Sequence, residues 1–138
     1  MLDPKKNGSY WGFGIIAAHE GNTAQAIELF EKGYKFDPKD ARFVCDYGMA
    51  LGAHGIAIQN TEEKDKAKEY LAASQAKYEE AMKLSPELAL PYSRMAILDF
   101  FRADYKSAWK YLDSSRKLGG EGLDPRFIDE LSKTSPRP

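Results

Sequence analysis

The chain has 138 residues, 43% of them hydrophobic, and a formal net charge of −1. This length suits one modest domain or a short repeat array, and the composition is too apolar for a disordered chain. The near-neutral charge gives no reason to expect nucleic acid or an anionic membrane as a partner, and no apolar stretch is long enough to cross a bilayer. We expect a soluble protein of unassigned compartment, cytoplasm or periplasm, because this chain shows no targeting signal and we expect its N-terminus to be truncated.

A short proline-containing motif recurs along the chain. Residues 2–5 (LDPK) return as residues 36–39 (FDPK), which is 34 positions later, and shorter versions occur at 84–86 (LSP) and 123–125 (LDP). Proline cannot continue a helix, and it pushes the residue before it out of the helical region. Each of these motifs therefore predicts a helix boundary, and the interval of 34 residues indicates a repeat architecture.

The first interval predicts two helices joined by a turn at residues 20–22. The first helix, about 8–20, contains two closely spaced glycines within the stretch YWGFGIIAAHEGN. The second helix begins at Asn22, which is expected to form a capping box with Gln25. Helical spacing predicts these packing faces: Tyr10, Phe13, Gly14 and Ala17 on the first helix; Ala26, Ile27, Phe30 and Gly33 on the second.

These residues resemble the tetratricopeptide repeat (TPR) family, whose pattern is W-x2-L-G-x2-Y…A-x3-F…P. The matching positions of the three predicted units are as follows: Tyr10, Phe13, Gly14, Ala17, Ala26, Phe30 and Pro38; Val44, Tyr47, Gly48, Leu51, Tyr78, Ala81 and Pro86; Tyr92, Met95, Ala96, Ala108 and Leu112. The resemblance covers about residues 7–120. It implies an all-α fold of three antiparallel helix hairpins in a right-handed superhelix, followed by a capping helix.

This interpretation divides the chain into segments of unequal length. We expect residues 1–6 to end a preceding repeat of a longer protein, and units at 7–40, 41–88 and 89–120. The second exceeds the 34-residue repeat length, so we expect its two helices to be lengthened, with a loop over 58–66 as the alternative. A capping helix at 121–133 and a disordered tail at 134–138 complete the prediction.

No motif for catalysis, metal binding or a cofactor is present. The glycines of GFG lack the third glycine and the preceding strand that a dinucleotide site needs. His19, His54 and Cys45 have no metal-ligand spacing, and no nucleophile elbow occurs. We therefore expect a protein that is not an enzyme and carries no cofactor or metal.

The resemblance implies that the first helix of each unit lines a concave, partly apolar groove where ligands lie. Opposite the packing faces we predict these binding residues: Trp11, Ile15, Arg42, Cys45, Asp46, Met49, Arg94, Ile97 and Phe101. The set lacks the lysines and asparagines of the family's carboxylate clamp. We expect an interaction scaffold that holds a peptide or partner domain through apolar contacts, with an acidic group near an arginine.

Two alternatives remain open. One is a structural or self-association role in a larger assembly, as a homo-oligomer. The other is that the groove residues, Trp11 and Phe101 above all, are core beneath a missing repeat or a neighbouring domain, because apolar helix stripes more often pack than bind.

Overall fold

The computed structural model describes residues 7–36 and 39–138, and over these residues the regular secondary structure is entirely helical. The helices are α1 (Asn7–His19), α2 (Thr23–Tyr34), α3 (Ala41–Ile58), α4 (Lys64–Leu84), α5 (Leu90–Phe101), α6 (Tyr105–Lys117) and α7 (Pro125–Thr134). The predicted all-α fold of three hairpins and a further helix is confirmed. The predictions for residues 1–6 and for the proline motif at residues 37–38 concern positions outside the described residues.

Polar side chains fix where the helices begin. Asn22 accepts a hydrogen bond from the backbone N–H of Gln25, and its amide donates to the Gln25 side chain at 2.7 Å. This is one half of the predicted capping box, because the Asn22 backbone N–H donates to the Ala17 carbonyl at 2.9 Å and not to Gln25. Asp40, Asp104 and Asp124 cap α3, α6 and α7 by accepting from backbone N–H groups two or three residues on. These caps satisfy donors that a helix leaves unpaired at its start.

The chain divides into two compact units, and the first ends at Leu84. In this first unit the Phe30 ring of α2 is fully buried. It lies 5.5 Å from the Phe43 ring and stacks on Tyr47 at 6.1 Å. A Cβ on Gly14 would lie only 2.8 Å from the same ring. Gly14 is therefore a close-packing contact between α1 and α2, as predicted.

The second hairpin is longer than the first. Helix α3 has 18 residues and α4 has 21, with residues 59–63 between them. Glycines on α3 let α4 approach closely, because a Cβ on Gly55 would lie 2.9 Å from Leu71 and one on Gly48 would lie 2.8 Å from Tyr78. The buried Ser74 hydroxyl also donates to the Gly48 carbonyl at 2.6 Å. The connection is shorter than the 58–66 loop of the alternative prediction.

The second unit runs from Ser85 to Pro138 and contains α5, α6 and α7. Its core consists of Ala96, Ala108, Trp109, Leu112 and Leu131. Leu131 of α7 is fully buried, with Phe127 and Ile128 packed against the same cluster. Helix α7 thus covers apolar surface that α5 and α6 alone would leave open.

The segment after α7 does not match the disordered tail expected from the sequence. The Trp109 indole N–H donates to the carbonyl of Ser135 at 2.8 Å. The Arg137 guanidinium lies 4.5 Å from the centre of the Trp109 indole and bonds both carboxylate oxygens of Asp113 at 2.8 Å. Residues far apart in the sequence therefore hold this segment against α6, which local composition could not predict.

The packing face predicted for α1 is wrong at one position. Tyr10, Gly14 and Ala17 are buried as expected, but the Phe13 side chain is 52% exposed. None of the described helices covers this side of α1. The equivalent side of α3 is covered by α2, through the stacking of Phe30 on Tyr47.

Candidate interaction surface

The first part of the candidate surface lies where α1 and α3 run side by side in the first unit. The Trp11 indole N–H donates to the Asp46 carboxylate at 2.7 Å. The indole also meets the Phe43 ring edge-on, with 5.6 Å between ring centres. Trp11 is consequently half-buried and fixed in place, with part of its ring left at the surface. A tryptophan held in this way is a preorganised contact, because little side-chain entropy is lost when a ligand binds.

The other predicted residues of the first unit differ in exposure. Ile15 and Met49 are half-buried, and Ile15 packs against the unit's core. Arg42 is exposed near the start of α3. Cys45 is fully buried and forms no disulfide, so it is not a surface contact in this structure.

The remaining predicted residues lie on α5 in the second unit. Arg94 and Ile97 are half-buried, and the Phe101 side chain is 43% exposed near the C-terminus of the helix. The Phe101 ring meets Phe100 edge-on at 5.4 Å. Ile97 and Phe101 are four residues apart, so they share one side of α5. This unit therefore presents its own apolar strip with a cation nearby.

No family model and no curated protein matches the chain, but solved structures do. The first TPR of Spaghetti (RPAP3) bound to the HSP90 peptide SRMEEVD is similar, with 19% identity, a TM-score of 0.70, and 97% of this chain and 94% of that chain covered. The first TPR domain of the human RPAP3 protein is 18% identical, with a TM-score of 0.74, and 96% of this chain and 92% of that chain are covered. The yeast Sti1 TPR2AB domain in complex with HSP90 is 19% identical, with a TM-score of 0.69, and 96% of this chain and 46% of that chain are covered. The fold is that of a TPR domain.

The TPR helices also position a cluster that the sequence analysis missed. The Tyr34 hydroxyl of α2 donates to both carboxylate oxygens of Glu80 on α4, at 2.8 and 3.0 Å. The Lys77 ammonium lies 3.9 Å from the centre of the Tyr34 ring and 3.7 Å from Glu80. Tyr34 and Glu80 are 46 residues apart, so no local pattern could have predicted the contact.

The electrostatics of this cluster favour neutral tyrosines. Burial, followed by the hydrogen bond to Glu80, raises the pKa of Tyr34. Burial also raises the pKa of Tyr47 to about 12, with the charge of Glu31 as the next cause. Both hydroxyls therefore stay protonated near neutral pH. The cluster ties α2 to α4 and supplies no nucleophile.

The described part of the TPR fold contains no candidate metal site, and its buried acidic side chain is paired. No group of three His, Cys, Asp or Glu side chains there could hold a metal ion. Asp99 is buried in an ion pair with Arg102, and its pKa is raised by burial, against the lowering effect of the Arg102 hydrogen bond. In the described portion, every helix is too short or too polar to span a membrane.

Proposed function

We propose that this TPR domain is a non-enzymatic interaction scaffold that binds a peptide or a partner domain in a concave, partly apolar groove. The observation that carries the proposal is the half-exposed Trp11, which its hydrogen bond to Asp46 fixes on the α1–α3 side of the first unit; Ile15 of α1 and Met49 of α3 are also partly exposed. In the similar structures, the TPR domains of Spaghetti and Sti1 are bound to HSP90 peptide or HSP90. The fold, a preorganised aromatic side chain and exposed apolar groups support the same role here.

The proposed ligand is anchored by apolar side chains rather than by a carboxylate clamp. Helix α1 contains no Asp, Glu, Lys or Arg, so its contribution to recognition is apolar contact and the tryptophan ring. The cationic side chains among the predicted binding residues are Arg42 in the first unit and Arg94 in the second. The ligand is thus an extended or helical peptide with large apolar residues and an acidic group beside one of these arginines.

The surface of α5 is proposed as a ligand contact in its own right. Phe101 exposes 43% of its side chain next to Ile97, which is the residue composition that protein interfaces favour. Leu118, in the same unit, has a similar exposed fraction of 38% but lies just after α6. The pair Phe101→Ala and Leu118→Ala therefore compares two truncations of similar exposure, of which only one should affect binding.

The test is selection from a displayed peptide library, followed by titration of the selected peptides by fluorescence anisotropy. We expect apolar, acidic peptides whose affinity falls at least about tenfold with Trp11→Ala or Phe101→Ala, as for interface hot spots. Leu118→Ala should leave the affinity unchanged. The peptide SRMEEVD serves as a comparison and should bind more weakly, because the clamp residues are missing.

Two results would contradict the proposal. One is that no peptide is selected, and the other is that the selected peptides bind Trp11→Ala, Ile97→Ala and the parent protein equally well. Sedimentation over a range of concentrations distinguishes the alternative function. A stable homo-oligomer without peptide binding would favour the structural or self-association role.

A further inference from the structure

Helix α6 of the second unit carries a line of charged side chains along one side. Four residues occupy positions i, i+4, i+7 and i+11, which share one side of an α-helix over about 16 Å: Lys106, Lys110, Asp113 and Lys117. The three lysines are exposed, and no described residue forms an ion pair with them. We call these four residues, together with Arg137 of the C-terminal segment, the basic α6 face.

The C-terminal segment neutralises the negative charge in this line. Asp113 is the one acidic residue of α6, and both of its carboxylate oxygens accept a hydrogen bond from the Arg137 guanidinium at 2.8 Å. That guanidinium also packs on the Trp109 indole, 4.5 Å from the ring centre. Asp104, just before the helix, caps it by accepting from the backbone N–H of Ser107. Because the charges of Arg137 and Asp113 cancel, the lysines give this side of α6 a net positive charge.

A surface cavity of about 530 Å³ opens beside the N-terminal half of this line. Its lining includes the side chains of Lys106, Lys110 and Arg137 and the indole of Trp109. Residues at i and i+4 are neighbours on a helix, so the two lysine ammonium groups can reach the same anionic group. The indole and the lysine stems provide apolar surface for the carbon chain that carries this group. The cavity therefore suits the side chain of a glutamate or an aspartate.

We propose that the basic α6 face docks a helix of another protein that carries acidic side chains along one side. Two helices that lie side by side have the same rise of about 1.5 Å per residue, so carboxylates at i, i+4, i+7 and i+11 match the line of cations. One carboxylate enters the cavity beside Lys106 and Lys110. Electrostatic complementarity of this kind speeds association and fixes the register of the two helices. The basic α6 face shares no residue with the groove and does not depend on the proposed function.

Charge also distinguishes this occupant from the others. A second copy of the chain presents mixed charge, because exposed acids on its described helices stand beside lysines, as in the Glu28–Lys32 and Asp129–Lys133 ion pairs. Asp65 likewise lies between two lysines. A nucleic acid or an anionic membrane presents dense phosphates and attracts proteins with a strong positive field, whereas this chain has a net charge of −1. The charges therefore favour an acidic helix of a different protein.

The probe is an alanine-based peptide of about 20 residues, long enough to form a helix, with glutamates at positions i, i+4, i+7 and i+11. The control peptide has the same composition, but its glutamates are distributed around the helix. Each peptide is titrated into the ¹⁵N-labelled full chain, and the backbone amide shifts in the NMR spectrum give both the site and the dissociation constant. The titrations are made at about 10 mM and about 150 mM salt, where the Debye length is about 30 Å and about 8 Å.

We expect saturable binding of the probe that shifts the amides of α6 and of the C-terminal segment and that weakens at the higher salt concentration. The double variant Lys106→Gln and Lys110→Gln should bind the probe at least about fivefold more weakly, because it removes two ion pairs. The matched control is Arg116→Gln with Lys133→Gln. It removes two exposed positive charges of the same unit that lie off the line, and it should change the affinity by less than about twofold.

A second pair of variants tests the role of the C-terminal segment. Arg137→Ala leaves the Asp113 carboxylate uncompensated and should weaken binding of the probe about two- to fivefold. Adding Asp113→Asn removes that charge and should restore the parental affinity, because the net charge of the line is then that of the parent. Absence of this rescue would contradict the role assigned to Arg137. Circular dichroism should show that all variants keep their helices, since the replaced side chains are exposed or half-exposed.

Three outcomes would overturn the proposal. One is that the control peptide binds as tightly as the probe, or that the lysine variant binds the probe as well as the parent does. Another is that a single-stranded oligonucleotide or vesicles of anionic lipid bind more tightly than the probe and lose binding with the lysine variant. The third is a dimer in sedimentation that Lys110→Gln dissociates, since the occupant would then be a second copy. Peptides selected for the groove should bind the lysine variant normally, so failure of this proposal is distinguishable from failure of the proposed function.

Discussion

Two glycines on one helix allow the packing of the first unit to be tested with matched substitutions. In Gly12→Ala the new methyl group meets nothing within 4 Å, while in Gly14→Ala it lies 2.8 to 3.1 Å from three carbons of the Phe30 ring. Both changes gain helix propensity, about 1 kcal/mol each, so this contribution cancels in the comparison. The remaining difference is the cost of crowding Phe30, which is fully buried between Phe43 and Tyr47 and has little room to move.

Overpacking of this kind costs about 1–3 kcal/mol. We therefore expect Gly12→Ala to raise the free energy of unfolding by about 1 kcal/mol and Gly14→Ala to lie about 1–3 kcal/mol below it. Urea unfolding followed by circular dichroism gives both values, and thermal melting should separate the variants by several degrees. If Gly14→Ala were as stable as Gly12→Ala, Gly14 would not be the close contact between α1 and α2.

Two further predictions concern Tyr47 and the C-terminal segment. Tyr47 has a pKa of about 12 in the fold, so above pH 10 the unfolded chain loses this proton first, and stability should fall between pH 10 and 12. Urea unfolding of Tyr47→Phe should show a shallower decline, and an unchanged slope would contradict the assignment. Arg137→Ala should cost under about 1 kcal/mol, because its ion pair with Asp113 is half-exposed. In a Trp11→Phe background, Arg137→Ala should shift the fluorescence emission of Trp109 to the red, because the indole loses its cover. An unchanged spectrum would show that Arg137 does not cover the indole.

The helices of this protein were predictable because their ends are marked locally. Prolines, the Asn22 N-cap and the aspartates before α3, α6 and α7 act within a few residues of the boundary they set. The repeat interval then predicted which helices form hairpins. Gly14 and Gly48 were interpretable for the same reason, since each occupies the same place in its unit.

Tyr10, Gly14 and Ala17 of the predicted packing face of α1 are buried, but which large side chain packs beside them was not predictable, because apolar residues surround the helix. Spacing alone allowed either Phe13 or Trp11 to point inward. The choice depends on Asp46, which lies 35 residues beyond Trp11, and on the absence of a described helix over Phe13. Tyr34 and Glu80 are likewise distant in sequence, 46 residues apart, and Arg137 and Asp113 are 24 residues apart. Such partners are set by tertiary packing, which a single sequence does not display.

The buried thiol of Cys45 can report local opening of the first unit through its reaction with a thiol reagent. It is the single cysteine of the sequence, and none of its surface is accessible in the folded state. A thiol reagent can modify it only when the structure around α3 opens, so the labelling rate reports the frequency of those openings. The same measurement with a bound peptide would show whether the ligand suppresses them, without any label being introduced.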